Sequence, residues 1–376
     1  MFMHGISELA LSTLPCQRYD NKRMTNSLPP QEPGYNKNKP YSASALGLFQ
    51  QTQQSVGRTP LTVPPLGLSY RESPAKAITG EAKRPLGNHR DSDLHAAQLF
   101  FSSAPVNNNF MVDYRLGADI EKPHAPRMVR IGLTPGSGSS DELQVQAFSY
   151  DSILNAVTEH ERQFGDNPID ILVIEGIASL GRPDLHCELY FTVAMSETLR
   201  ALEDLKADGR IRAFGMVADH AEYCQRALLH GHWDLFVLNH RYTLLEQWPL
   251  FNLLPACEKA STSIIVGHPF NSGILRGTNQ WNFKPAPAFV EARMVNIQHI
   301  CQLHEVPVEA AALQFPLAHP AVASVVTNPT THGIDQLLEW LNLPIRDSLW
   351  EDLKLGGVLH DEAPVPSSSR VSSASH

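Results

Sequence analysis

Glu175 is the residue in this chain best placed to do chemistry. It ends the run Ile169-Asp170-Ile171-Leu172-Val173-Ile174 and is followed by Gly176. A short, near-continuous apolar run without a 3.6-residue period reads as a strand buried on both faces, and such strands are usually parallel. In parallel α/β folds, catalytic side chains gather at strand C-terminal ends. A carboxylate there can move a proton or hold a substrate; its bland alternative is a half-buried acid paired with Arg130. Ser102 ends another apolar stretch, Leu99-Phe100-Phe101, but a serine nucleophile needs a base and no Ser-His-Asp order is evident. His240 and His268 follow two later strands and read as rim histidines. His186 with Cys187, and His220 with Cys224, lack the third and fourth partners that zinc requires, so no metal is expected.

These residues need a scaffold. Strands are expected at Leu61–Leu68, Leu99–Ser102, Met128–Leu133, Ile169–Glu175, Ile211–Val217, Asp234–Leu238, Ser263–Gly267 and Ala321–Val326. Between them fall helical periods: a short helix through Tyr114 and Leu116, then Tyr150–Phe164, Thr192–Lys206, Asp219–Leu229 with Asp219 as N-cap, Leu244–Lys259, Pro287–His304, Pro307–Ala318 and Ile334–Leu341. Strands alternating with helices at roughly 30-residue spacing give a parallel sheet. Eight such units over about 300 residues point to an α/β (β/α)8 TIM barrel. Its competitor, a doubly wound sheet, wants a glycine-rich turn after its first strand, and Gly136-Ser137-Gly138 has no third glycine opening a helix.

The 376 residues carry a net charge of −9, with 42% hydrophobic residues. That supports a sizeable core and argues against a nucleic-acid partner. No apolar run approaches the roughly 20 residues of a membrane span. Five scattered cysteines, Cys16, Cys187, Cys224, Cys257 and Cys301, read as reduced thiols of a cytoplasmic protein. Residues 1–55 are rich in Ser, Gln, Asn and Pro and too polar to offset their ordering entropy, so a disordered leader is expected there, a barrel over 56–366, and a disordered Ser-rich tail over 367–376. The leader lacks the parts of a Sec signal. Its Ser-rich, acid-poor composition resembles that of bacterial type III secretion substrates, which leaves cytoplasmic residence and non-Sec secretion into a host cell as the two expectations.

Three stretches carry a family likeness. Arg241-Tyr242-Thr243-Leu244-Leu245-Glu246-Gln247, the loop Asn271-Ser272-Gly273-Ile274-Leu275, and the run from Val306 through Leu313-Gln314-Phe315-Pro316-Leu317-Ala318-His319-Pro320 to Val325 resemble the aldo-keto reductases. Within them they resemble the branch of bacterial L-fucose/D-threo-aldose and pyridoxal dehydrogenases. The likeness covers about residues 56–366. It implies a (β/α)8 barrel that oxidises or reduces a carbonyl carbon with NAD(P), through a tetrad of Asp, Tyr, Lys and His in which the tyrosine moves the proton and the others tune and position it.

The tetrad positions are substituted. The family pattern places Ser102 where the Asp belongs, Asn107 where the Tyr belongs, Gly132 where the Lys belongs and Glu175 where the His belongs. Arg130, the cation nearest to Gly132 in sequence, holds its proton too tightly to share it. On the cofactor side, Asn271, Ser272 and Gly273 keep a pyrophosphate-side turn. Asn328 and Thr330 replace a glycine and an arginine of the phosphate loop, which removes a bidentate contact. Tyr242 and Phe270 are expected to shape a pocket. Without a tyrosine acid, carbonyl reduction loses about 10²- to 10⁴-fold from that group alone. The first expectation is therefore a redox-inactive relative acting by binding, possible NAD(P) binding being weakened. The alternatives are an NAD(P)-dependent aldose dehydrogenase of weak or altered activity, and a non-redox enzyme using Glu175 and Ser102.

Overall fold

The computed structural model describes residues 54–68, 105–106, 109–115, 126–133, 145–164, 169–178, 184–327 and 333–367. The expected strand ending at Ser102, the bulk of the leader and the last residues of the tail lie outside them. The chain opens on a small antiparallel hairpin, β1 (Gln54–Ser55) with β2 (Thr62–Val63). Its apolar side chains Val56, Leu61 and Val63 are buried and join an inner cluster with Met128, Ile171, Val173, Ala213, Leu235 and Ile265. The hairpin thus stoppers the end of the barrel at which the strands begin.

The main sheet has nine strands. In chain order they are β3 (Leu66–Leu68), β4 (Pro105–Val106), β5 (Asn109–Arg115), β6 (Arg127–Leu133), β7 (Ile169–Ala178), β8 (Ile211–Ala218), β9 (Leu235–Asn239), β10 (Ser263–Gly267) and β13 (Val322–Thr327). Two short strands outside the main sheet, β11 (Gln280–Trp281) and β12 (Lys284–Pro285), pair with each other. Seven strands, β6 to β10 with β13 and β3, are joined by parallel pairings. The α/β, TIM-barrel-like fold is therefore present.

One expected element is different. The chain around Tyr114 is strand and not helix. β5 runs antiparallel to β6 through seven residue pairs and touches β3 at Leu68 and Arg115, which closes the ring. The sequence Asn109-Phe110-Met111-Val112-Asp113-Tyr114-Arg115 contains the aromatic and β-branched residues that strands favour. It also saturates two sheet edges that would otherwise stand open.

The helices pack outside. They are α1 (Tyr150–Phe164), α2 (Asp184–Val193), α3 (Leu199–Ala207), α4 (Ala221–Ala227), α5 (Leu253–Ala260), α6 (Ala288–Leu303), α7 (Val308–Gln314), α8 (Gly333–Asn342) and α9 (Asp347–Leu355). A π-turn, Ala194–Thr198, joins α2 to α3, so the helical segment starts earlier than the expected Thr192. His220, not Asp219, is the N-cap residue of α4. The stretch 244–259 is helical only in a 3-10 turn, Trp248–Phe251, and in α5, because Pro249 can donate no backbone hydrogen bond. Strand side chains alternate between the inner cluster and the outer helix layer: Ile171 and Val173 face in, Leu172 and Ile174 face out. The four described cysteines are buried, and burial pushes the Cys257 and Cys301 thiols up to about 12. No described helix is long and apolar enough to cross a membrane.

Candidate functional site

Glu175 does not simply end its strand. The register of β7 against β8 shifts between Ile174 and Ala178, and Gly176 takes φ 99°. A β-bulge that uses a glycine's positive φ bends a strand and re-aims a side chain. Glu175 Oε1 accepts a hydrogen bond from Arg130 Nη1 at 2.9 Å. Both side chains are largely shielded, Arg130 at 12% exposure and Glu175 at 21%. Gly132 stands opposite Glu175 in the β6–β7 register. The structure thus brings residues 132 and 175 side by side, with Arg130 two residues back along β6. Ser102 and Asn107 lie outside the described residues, as do Asn328 and Thr330 of the phosphate loop.

Arg130 of the ion pair lines a small open recess together with Met128, Val173, Val217, Val237, Asn239, Gly267, His268 and Val326. Asn239 and His268 were not expected on it together. Gly267 makes room for them: a Cβ there would lie 2.1 Å from Asn239 Oδ1. His268 stacks on His240, with ring centroids 4.8 Å apart and planes at 10°, and Phe283 closes edge-on against His240. His240 is 1% exposed and its Nδ1 has no hydrogen-bond partner.

Burial, then the neighbouring His268 and Arg241, push the His240 pKa down to about 2. Burial alone takes His319 to about 4. A depressed histidine pKa contributes stability that is whole above the unfolded value of about 6.5 and is lost as pH falls toward the folded value. For His240 the loss runs at about 1.4 kcal/mol per pH unit through acid pH. Replacing His240 with glutamine is therefore expected to flatten the fall in stability between pH 6 and pH 4 by about one proton. Urea-unfolding midpoints at a series of pH values measure it, and an unchanged slope would contradict the assignment.

Beside the recess, the loop after β10 turns through three consecutive left-handed residues, Asn271 (φ 47°), Ser272 (φ 60°) and Gly273 (φ 99°). It is pinned from behind. Asn271 Nδ2 donates to His240 O at 2.8 Å and to Glu246 Oε1 at 3.3 Å. Glu246 also accepts from Trp281 Nε1 at 3.0 Å and pairs with Arg241 at 2.9 Å. Burial raises the Glu246 pKa against the opposing pull of Arg241.

Tyr242 lies elsewhere. It is fully buried against Phe315 and His319 in the outer layer and does not line the recess. Burial holds its hydroxyl well above the usual tyrosine range. Its positive φ of 56° turns its ring into that layer, a conformation the sequence did not signal. Phe270 is buried too, but its ring carries the Arg276 guanidinium, 3.8 Å from the centroid. No cluster of three metal-ligating side chains exists among the described residues.

The aldo/keto reductase family model matches residues 114–354, more than half of the chain. The chain belongs to the aldo/keto reductase family. It is similar to pyridoxal 4-dehydrogenase of Microbacterium luteolum, at 28% identity over 340 residues, covering 82% of this chain and 98% of that one. It is also similar to a D-threo-aldose 1-dehydrogenase of a Pseudomonas species, at 31% identity over 212 residues, covering 55% of this chain and 62% of the relative. Among solved structures, an aldo-keto reductase from Bacillus halodurans in its holo form aligns over 85% of this chain and 99% of its own, at 16% identity and a TM-score of 0.48. The family generally binds NAD(P)H. In this member, the left-handed loop and the unpartnered nitrogens of Arg276 fit the phosphate end of such a cofactor. Among the described residues, no tyrosine or lysine lines the recess to serve its redox end.

Proposed function

We propose that this chain is an aldo/keto reductase that binds a nicotinamide nucleotide without the family's acid–base step, and so acts by binding. The observation that supports the reading is the Arg130–Glu175 ion pair at the recess. Hydride transfer to a carbonyl needs a group that gives up a proton near neutral pH. As residue types, an arginine guanidinium is effectively always protonated, and an ionised carboxylate is an acceptor only. Neither member of the pair can pass a proton to an alkoxide. The phosphate end of the site would be served by Asn271, Ser272 and Gly273 with Asn328 and Thr330. The substitutions at Ser102, Asn107, Gly132 and Glu175 follow the family pattern and point the same way.

A second reading has its own support. The match to pyridoxal 4-dehydrogenase runs over nearly the whole of that enzyme, which favours a working NAD(P)-dependent dehydrogenase with a displaced acid–base group. One experiment separates the two. The full chain is titrated with NADH and NADPH by calorimetry, and then assayed with pyridoxal and a D-threo-aldose in the presence of either oxidised cofactor. Binding without turnover above the uncatalysed rate is expected. Turnover of either substrate would overturn the binding-only reading and establish the second.

A further inference from the structure

Arg276 lies just past the left-handed turn, on the same loop. Its Nε and Nη2 are buried and have no hydrogen-bond partner. Among the described residues, no carboxylate forms an ion pair with it. Glu309 acts on it only through space, and burial brings its pKa down to about 10. A buried cation without a partner is expensive and rarely retained unless something offsets it. The stack on Phe270 engages one face of the guanidinium. It leaves the edge that carries Nε and Nη2, two parallel N–H donors spaced to match the oxygens of a phosphate.

The position of this edge suits a nucleotide. The loop follows the C-terminal end of β10. α7 precedes β13 and runs back along the barrel, so its first turn, with Glu309, stands on the same face as the loop. Phe270, under the guanidinium, meets Trp340 of α8 with centroids 6.5 Å apart. Arg276 therefore lies at the C-terminal end of β10, with Glu309 of α7 acting on it through space and Phe270, its stacking partner, in contact with Trp340 of α8.

We propose that Arg276 is a phosphate-binding residue of this chain, engaging a nucleotide phosphate through Nε and Nη2. The inference rests on the nucleotide-binding reading above, but not on whether hydride transfer occurs.

The test uses the full chain, with ADP and inorganic pyrophosphate as probes. Arg276→Met keeps the length and the contact with Phe270 while removing the charge and the donors. The parent is expected to bind ADP, and Arg276→Met to weaken it at least tenfold with a shallower dependence on salt. The melting temperature of the unliganded variant should equal or exceed the parent's, because a buried charge without a partner has been removed. A purely structural arginine would instead lower it and leave the affinity per folded molecule alone. Should Arg276→Met fail to fold, Arg276→Lys decides: a several-fold loss of ADP affinity supports the fork contact, and an unchanged affinity overturns it. A parent that binds neither probe also overturns the proposal. Dehydrogenase turnover together with normal ADP binding in Arg276→Met would refute Arg276 while leaving an active enzyme. ADP binding that needs Arg276, with turnover present, would refute only the binding-only function.

Discussion

Substituting alanine for Lys206 lowers the unfolding free energy by about 3 kcal/mol, the expected result of stranding a charge that has nowhere else to go. Asp234 is fully buried at the start of β9. Its carboxylate takes both oxygens to Lys206 Nζ, at 2.7 and 2.6 Å, and accepts the backbone N–H of Phe214 at 3.0 Å. His232 Nε2 stands 3.6 Å away, and burial lowers its pKa, so it is a poor substitute cation near neutral pH. The pair lies at the N-terminal ends of the strands, where residues serve stability more than chemistry. It also borders the stopper: a Cβ on Gly57 would lie 2.6 Å from Asp234 O. Lys206→Ala therefore loosens the barrel floor and the hairpin together. Replacing both partners, Lys206→Met with Asp234→Leu, should recover much of the loss, since no charge is then left buried. Urea unfolding of the two variants beside the parent measures both values. A Lys206→Ala variant as stable as the parent would show that solvent already screens the pair.

What could be read from the chain beforehand follows from how local each signal is. The strand around Leu172 announced itself by an apolar run, and the ion pair of Glu175 with Arg130 was legible because the two residues lie on consecutive strands of the expected parallel sheet. The bulge at Gly176 was not, because a positive φ is permitted by glycine and not announced by it. The block from Val306 to Val325 was legible as a family mark, and the structure gives its physical cause. Ala310, Ala311, Ala312 and Leu313 are buried, and Gln314 Nε2 donates to the carbonyls of Trp340 and Leu343, which fixes a polar residue inside an apolar run. β5 escaped because pairing across a closing barrel leaves no local period. Asn239 and His268 escaped for the same reason: they meet only where Gly267 lets two strands approach. Arg276 carried no signal, since neither its burial nor its lack of a partner is a property of sequence.

The largest change in activity is expected from rebuilding the tetrad, and the register decides how that must be done. Gly132 faces Glu175 across the β6–β7 pair, so Gly132→Lys with Glu175→His would set an amine and an imidazole side by side at the recess. Glu175→His takes the carboxylate from Arg130, however, and leaves a guanidinium beside the new lysine. Like charges this close would depress the lysine pKa and weaken the floor of the site. The rebuilt chain therefore also needs Arg130→Met, together with Ser102→Asp and Asn107→Tyr at the two positions assigned by family pattern. The combined variant should oxidise the substrates of the turnover assay at least 10²-fold faster than the parent, up to the roughly 10⁴-fold that a placed acid–base group supplies. The same set without Asn107→Tyr should gain almost nothing, because the lysine and histidine act only by tuning the tyrosine. Nucleotide affinity should stay within a few-fold of the parent in both variants, since Asn271, Ser272, Gly273 and Arg276 are untouched. A rebuilt chain that folds, binds nucleotide and still fails to turn over would place residues 102 and 107 away from the recess. It would imply that insertion of the antiparallel β5 between β3 and β6 displaced the wall from which the aspartate and tyrosine act.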